Sequence, residues 1–259
     1  MSKLFEESPI LAAVPIAGAV LAYCYKESIG NAANYIIGAC IVIFIALLAF
    51  YRYTPYENRF ADKMLVSPCE GTVLLVEDRY DHFYIPIFLS VFNKHYQIYP
   101  SNGTVIERKY DHTGQFEIVM HLDKSADNEK KIHTIRMKNG AVYSVTQLAG
   151  FLPRMITSSD VVPMDVQAGE YMGMIKFGSR VDLLIPKKAP DDTELVLNKN
   201  IVKGAKVSIG DVLGSYEVSL IRLDCDNPVP MKCEGVPLKD CENIMYRSLN
   251  EEWDPLTGV

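Results

Sequence analysis

No excess of positive charge runs through this 259-residue chain, since 26 lysines and arginines stand against 32 aspartates and glutamates, a formal net charge of -6 at pH 7. Nucleic-acid binding needs clustered Lys and Arg to displace condensed counterions, so DNA and RNA are not expected partners. The six cysteines contain no C-x-x-C pair, which removes the commonest zinc-site spacing, and no metal is expected. Reduced thiols are the simpler reading. The even spacing of Cys225, Cys233 and Cys241 has no chemical explanation. The chain also lacks an internal repeat, a low-complexity tract and, in its middle, any long amphipathic helical pattern. With 49% hydrophobic residues it is not a disordered chain, and it is long enough for one sizeable core plus a membrane element.

The apolar residues are concentrated at the start. Pro9 to Tyr25 and Ala32 to Tyr51 are nearly uncharged runs separated by a short link from Lys26 to Asn31. Each approaches the roughly 20 residues needed to cross a hydrocarbon core. A transmembrane helical hairpin over 1–55 is expected, although Pro15 also suits the first run to a re-entrant or interfacial piece. A cleavable signal peptide fits less well, because Glu6 and Glu7 precede the first run and a second run follows. Arg52, Arg59 and Lys63 follow the second run, so the positive-inside bias places that side, and the bulk of the chain, in the cytoplasm at the cell membrane.

From about Met64 the pattern changes to short runs rich in Val, Ile, Tyr and Phe, punctuated by Gly, Pro, Asn and Asp, which predicts strands joined by turns. The expected strands include Gly71 to Glu77, Phe83 to Phe92, Lys131 to Met137 and Ala141 to Gln147, the last two joined by a hairpin at Lys138-Asn139-Gly140. The fold class is therefore mainly β: a sandwich or barrel-like domain over 56–216 behind the hairpin. Residues 217–259 turn polar and carry Pro228, Pro230, Pro237 and Pro255, a C-terminal extension of no readable function.

The most informative stretch runs from Gly169 to Pro186, where Gly178-Ser179 lies between two strand-like runs. A glycine before a serine permits unusual backbone angles, so the hydroxyl can approach the preceding carbonyl carbon. A bulge or tight turn explains an isolated Gly-Ser equally well.

Context decides between them. Phe177-Gly-Ser-Arg-Val-Asp182 closely resembles the processing site of the phosphatidylserine decarboxylase family, short pyruvoyl-dependent type, which includes archaetidylserine decarboxylase-like members. Val66-Ser-Pro-Cys-Glu-Gly-Thr-Val73, Asn93-Lys-His-Tyr-Gln-Ile-Tyr-Pro-Ser-Asn-Gly103, Gly114-Gln-Phe116, Leu122-Asp-Lys-Ser125 and Gln147-Leu-Ala-Gly150 with Pro153-Arg154 are similar to further family motifs, in family order. The resemblance implies an autocatalytic cut between Gly178 and Ser179, with a covalent pyruvoyl group derived from Ser179 as the cofactor. The expected partners are the phospholipid substrate and the two cleavage chains, 1–178 and 179–259, for each other; a homo-oligomer is left open.

The implied activity is decarboxylation of phosphatidylserine, or a related serine phospholipid, to the ethanolamine lipid. That chemistry needs a base for the serine hydroxyl and an acid to reprotonate the decarboxylated carbon. His95 matches the family's histidine and is the candidate acid. Glu70 stands where the family has a turn aspartate assigned to processing, one methylene longer. Ile98 stands where some members carry a basic residue or a second histidine, so slow processing is compatible with the sequence. Arg180 and Arg154 are candidates for the lipid phosphate or substrate carboxylate. His82, His112, His121 and His133 read as surface or packing residues. The competing reading is a membrane-tethered β-barrel homologue that has lost self-cleavage and serves as a binding or scaffold module.

Overall fold

In a computed structural model of the chain, the described residues are 2–56, 60–112, 117–122, 124–150, 156–176 and 179–218. Two apolar helices, Pro9–Cys24 and Ala32–Phe50, pack against each other near the N-terminus. Proline at the first helical position of Pro9–Cys24 carries no N–H to leave orphaned. The connection turns at Gly30, whose φ of 58° is one that a side chain resists. Across the pair, a Cβ on Gly18 would lie 3.0 Å from Cys40 Sγ, so the small residue sets the close approach. Among the described residues, Ala32–Phe50 is the one helix long and apolar enough to cross a membrane; Pro9–Cys24 is shorter.

The other described residues are mainly β. A nine-stranded antiparallel sheet runs in the order Met164–Val166, Gly103–Asp111, Lys130–Met137, Val142–Ala149, Ser179–Pro186, His82–Leu89, Gly71–Val73, Lys206–Val207, with Glu77–Asp78 also on His82–Leu89. Two three-stranded sheets accompany it: Met64–Val66, Val212–Val218 and Thr193–Leu197, and Tyr96–Ile98, Tyr171–Ile175 and Ile156–Ser158. The fold is mainly β as expected, built from several sheets that do not close into a barrel.

Alternation along the strands places Ile85, Ile87 and Leu89, Val145, and Val181, Leu183 and Ile185 in one buried core. A second cluster forms where the helices meet the Tyr96 sheet, with Leu4, Leu47, Phe50 and Tyr51 against Tyr96, Ile98 and Met174. The expected hairpin at residues 138–140 is present, with Gly140 at φ 84°. The expected strand from Phe83 to Phe92 stops at Leu89, because the chain turns over Ser90 to Asn93.

Candidate active site

Ser179 opens the strand Ser179–Pro186 and pairs with Leu89 on one side and Ala149 on the other. Its side chain is fully buried, and Oγ has no hydrogen-bond partner among the described residues. A buried hydroxyl without a partner costs about 1–3 kcal/mol, so its persistence asks for a chemical reason. The bond that precedes it cannot be described, since Gly178 lies outside the described residues.

Two short connections bring His95 to this corner. The strand partnered with Ser179 ends at Leu89 and passes through the Ser90 to Asn93 turn to His95, whose carbonyl accepts the N–H of Ile175 at 3.2 Å, just upstream of Ser179. His95 is fully buried. Its Nδ1 lies 2.9 Å from the Asn93 carbonyl oxygen, which can only accept, so Nδ1 carries the proton. The lone pair is then on Nε2, another buried atom without a partner. Burial drives the imidazole down to about 4 and the Arg52 charge adds to the effect, against the opposing pull of Asn93 and Glu70, so the ring is neutral at pH 7. One face of the ring lies against Phe50, the last residue of the second helix, with centroids 4.2 Å apart.

Asn93 joins the third group. Its Nδ2 donates to Glu70 Oε1 at 2.8 Å, while Ser90 N and Oγ both donate to its Oδ1 at 2.9 and 2.8 Å. Glu70 immediately precedes the strand Gly71–Val73, which pairs with His82–Leu89 on the side away from Ser179. The two strands are therefore two sheet spacings, about 10 Å, apart. Glu70 is connected to His95 through Asn93 and has no direct bond to it. One small cavity, of about 290 Å³, is lined by Glu70, Ser90 and Asn93.

Ser179 Oγ and His95 Nε2 are thus two buried atoms that bond neither to each other nor to any other described group, with the Glu70 carboxylate tied to the same turn through Asn93. Residues 45–215 match the family model described as phosphatidylserine decarboxylase. This chain belongs to the phosphatidylserine decarboxylase family. The family is one of carboxy-lyases. Similar curated proteins, each named phosphatidylserine decarboxylase proenzyme, include one from Trichlorobacter lovleyi, 34% identical over 212 residues, covering 80% of this chain and 87% of the relative. Another, from Cytophaga hutchinsonii, is 33% identical over 174 residues, covering 64% and 78% respectively. A third, from Prosthecochloris aestuarii, is 36% identical over 152 residues, covering 55% and 67%. No solved structure matches the chain.

The decarboxylase-family strand that carries Ser179 separates it from Arg180. Successive side chains leave opposite faces of a strand, and Arg180 is buried with Asp182 on the far face. Its Nε and Nη2 grip the two Asp182 oxygens at 2.7 and 2.9 Å, and Nη1 donates to Val119 O and Ser125 Oγ. The expectation that Arg180 meets the substrate gains no support from this geometry; adjacency in sequence is what suggested it. Arg154 lies outside the described residues. Ile98 is fully buried in the helix-facing cluster, consistent with packing.

Other residues escaped the sequence reading. Asn93 was visible only as a motif letter, Phe50 only as part of an apolar run, and Arg52 only as a charge that orients the chain at the membrane. A buried chain also runs from His133 Nε2 to Gln147 Oε1 at 2.9 Å, from Gln147 Nε2 to Gln97 Oε1 at 2.7 Å, and from Gln97 Nε2 to the His95 carbonyl at 2.7 Å. His133 is thus a fully buried member of a polar network, held down to about 4 chiefly by burial. His82 pairs with Asp81 and His112 stacks on Tyr110 at the surface. A cavity of about 720 Å³ around Asn102 and Gly169 has none of these groups. Among the described residues no cluster of His, Cys, Asp and Glu is able to hold a metal, and Cys225, Cys233 and Cys241 lie outside them.

Proposed function

We propose that this chain cuts itself between Gly178 and Ser179 and then decarboxylates phosphatidylserine, or a serine phospholipid with the same head group, to the ethanolamine lipid at a membrane surface. The observation that carries the reading is the pair of buried, unpartnered atoms, Ser179 Oγ and His95 Nε2. They are the two atoms that serinolysis requires.

His95 Nε2 takes the Ser179 hydroxyl proton as Oγ attacks the Gly178 carbonyl carbon, and the peptide bond becomes an ester. Removal of the Ser179 α-proton then expels the Gly178 carboxylate, and water replaces nitrogen at residue 179, releasing ammonia. A pyruvoyl group so formed supplies an electron sink for the pair left behind by carbon dioxide, the service that pyridoxal phosphate gives elsewhere. The residues fit it: position 179 is buried between two strands, and no side chain holds its Oγ.

His95 serves this step too. A neutral imidazole accepts a proton from the substrate ammonium, and the acid so formed returns it to the decarboxylated carbon. The Asn93 carbonyl keeps Nδ1 protonated, and Glu70 holds the Asn93 side chain in place. The N-terminal helices confine the site to the plane of the lipid head groups, with Arg52 and Lys63 on the cytoplasmic side.

Intact mass of purified protein tests this directly. The parent should resolve into chains 1–178 and 179–259, and borohydride with substrate should tag the second chain. Ser179→Ala should stay whole at 29.1 kDa. A parent as whole as Ser179→Ala ends the proposal.

A further inference from the structure

The turn that leads from Ser179's partner strand to His95 is built from polar ends and an apolar tip. Ser90 and Asn93 close it with the Asn93 N–H on Ser90 O and both Ser90 donors on Asn93 Oδ1. Turn tips favour Gly, Asn, Asp and Pro, yet the residues here are Val91 and Phe92, 53% and 84% exposed. They stand beside the C-terminal turns of Ala32–Phe50, the helix long enough to span a bilayer. Arg52 ties them together, donating through Nη1 to Ala49 O and through Nη2 to Phe92 O, two of the five N–H groups a guanidinium carries. Between helix and tip lies an apolar groove of about 480 Å³, lined by Ile43, Ala46, Phe50, Val91 and Phe92, with Arg52 as its charged member. Phe50 forms the wall between this groove and His95.

We propose that this groove binds one acyl chain of the phospholipid substrate, with Arg52 on the lipid phosphate, and that Val91 and Phe92 dip into the lipid layer beside the helix. Three features name lipid as the occupant. The groove is continuous with a membrane-spanning face. Its cation sits at the end of the helix, the level of phosphates. The exposed tip is aromatic and aliphatic, as interfacial anchors are. A chain lying there hangs its head group over Phe50 toward His95, so the groove measures where a serine head group stops. Recognition then includes the start of the acyl chain, and a water-soluble head group alone is a poor substrate. This inference rests on the proposed activity for its substrate and on the groove alone for its lipid.

The test separates the two. The chain's single tryptophan, Trp253, is replaced by Phe, and F92W is introduced in the full-length protein reconstituted in phosphatidylglycerol nanodiscs. Emission of the F92W variant should be quenched when the acyl chains carry bromine near their glycerol end, and should not depend on protein concentration. In parallel, V91D/F92D should lower kcat/KM for long-chain phosphatidylserine about ten- to a hundredfold, mainly through KM, as expected for losing the burial of an aromatic and a branched side chain. The same variant should lower kcat/KM for a short-chain soluble analogue much less. Absence of bromine quenching, or quenching that follows protein concentration and so reports a second copy, overturns the groove. So does an equal loss on both substrates. A quenched variant of a chain that releases no carbon dioxide leaves the groove standing and removes the activity instead.

Discussion

His95 is a buried imidazole whose state is set by its neighbours: a carbonyl fixes the proton on Nδ1, and burial keeps the ring neutral. His95→Gln should slow self-cleavage by about a hundredfold or more, the usual weight of a general base, read as the rate at which the 29.1 kDa band splits. Asn93→Asp should slow it as well, by roughly tenfold, because Glu70 then faces a carboxylate where it had an amide donor. A pH effect follows from two imidazoles that both lie near 4 when folded, His95 and His133, against about 6.5 unfolded. The unfolded chain binds protons that the folded chain refuses, so stability is full above about pH 6.5 and falls as pH drops towards 4. The fall is on the order of 3 kcal/mol for each histidine, and His133→Gln should remove about half of the resulting decline in Tm between pH 7 and 5. Motifs alone singled out Ser179, Glu70 and His95 in the sequence, and the roles proposed for them rest on those motifs together with the burial and partners of the three side chains. Asn93 could not be singled out this way, since its role depends on which atoms a four-residue turn brings within 3 Å.

Single elements explain the remaining differences between sequence and structure. The strand from Ser179 to Pro186 was readable as a strand, and alternation alone would have put Arg180 across the sheet from Ser179. Its bidentate grip on Asp182, at the far face, makes it a structural ion pair. Arg180→Met should therefore destabilise the fold by about 3–5 kcal/mol, as the loss of one partner of a buried pair does, and Arg180→Met with Asp182→Leu should recover much of it. Chemical denaturation of Ser179→Ala backgrounds reads both without interference from cleavage. The turn at Val91 and Phe92 was hidden for the opposite reason: apolar residues after Leu89 extend a strand pattern, and only the Ser90 to Asn93 bonds end it. The paired helices were readable from composition, whereas their docking was not. Glu7 accepts from Tyr171 OH at 2.6 Å and from Thr157 Oγ1, and its carbonyl accepts from Lys176 Nζ at 2.6 Å. Glu7→Ala should loosen the helices from the Tyr171 strand and raise protease sensitivity before Pro9 while leaving the sheet intact.

Across the molecule, the strand that begins at Ser179 is an inner member of the nine-stranded sheet, with Val142–Ala149 on one side and His82–Leu89 on the other. The strand Val212–Val218 is likewise the middle of its own sheet, between Met64–Val66 and Thr193–Leu197. Severing the chain at residue 178 would divide one covalent thread into two pieces already woven through each other. Neither piece could leave without tearing out a sheet, so maturation would yield a permanent heterodimer that never has to find its partner by diffusion. It would also be a one-way product: once denatured apart, the pieces should not regain activity on mixing, because the folding that interlaced them began from a single chain.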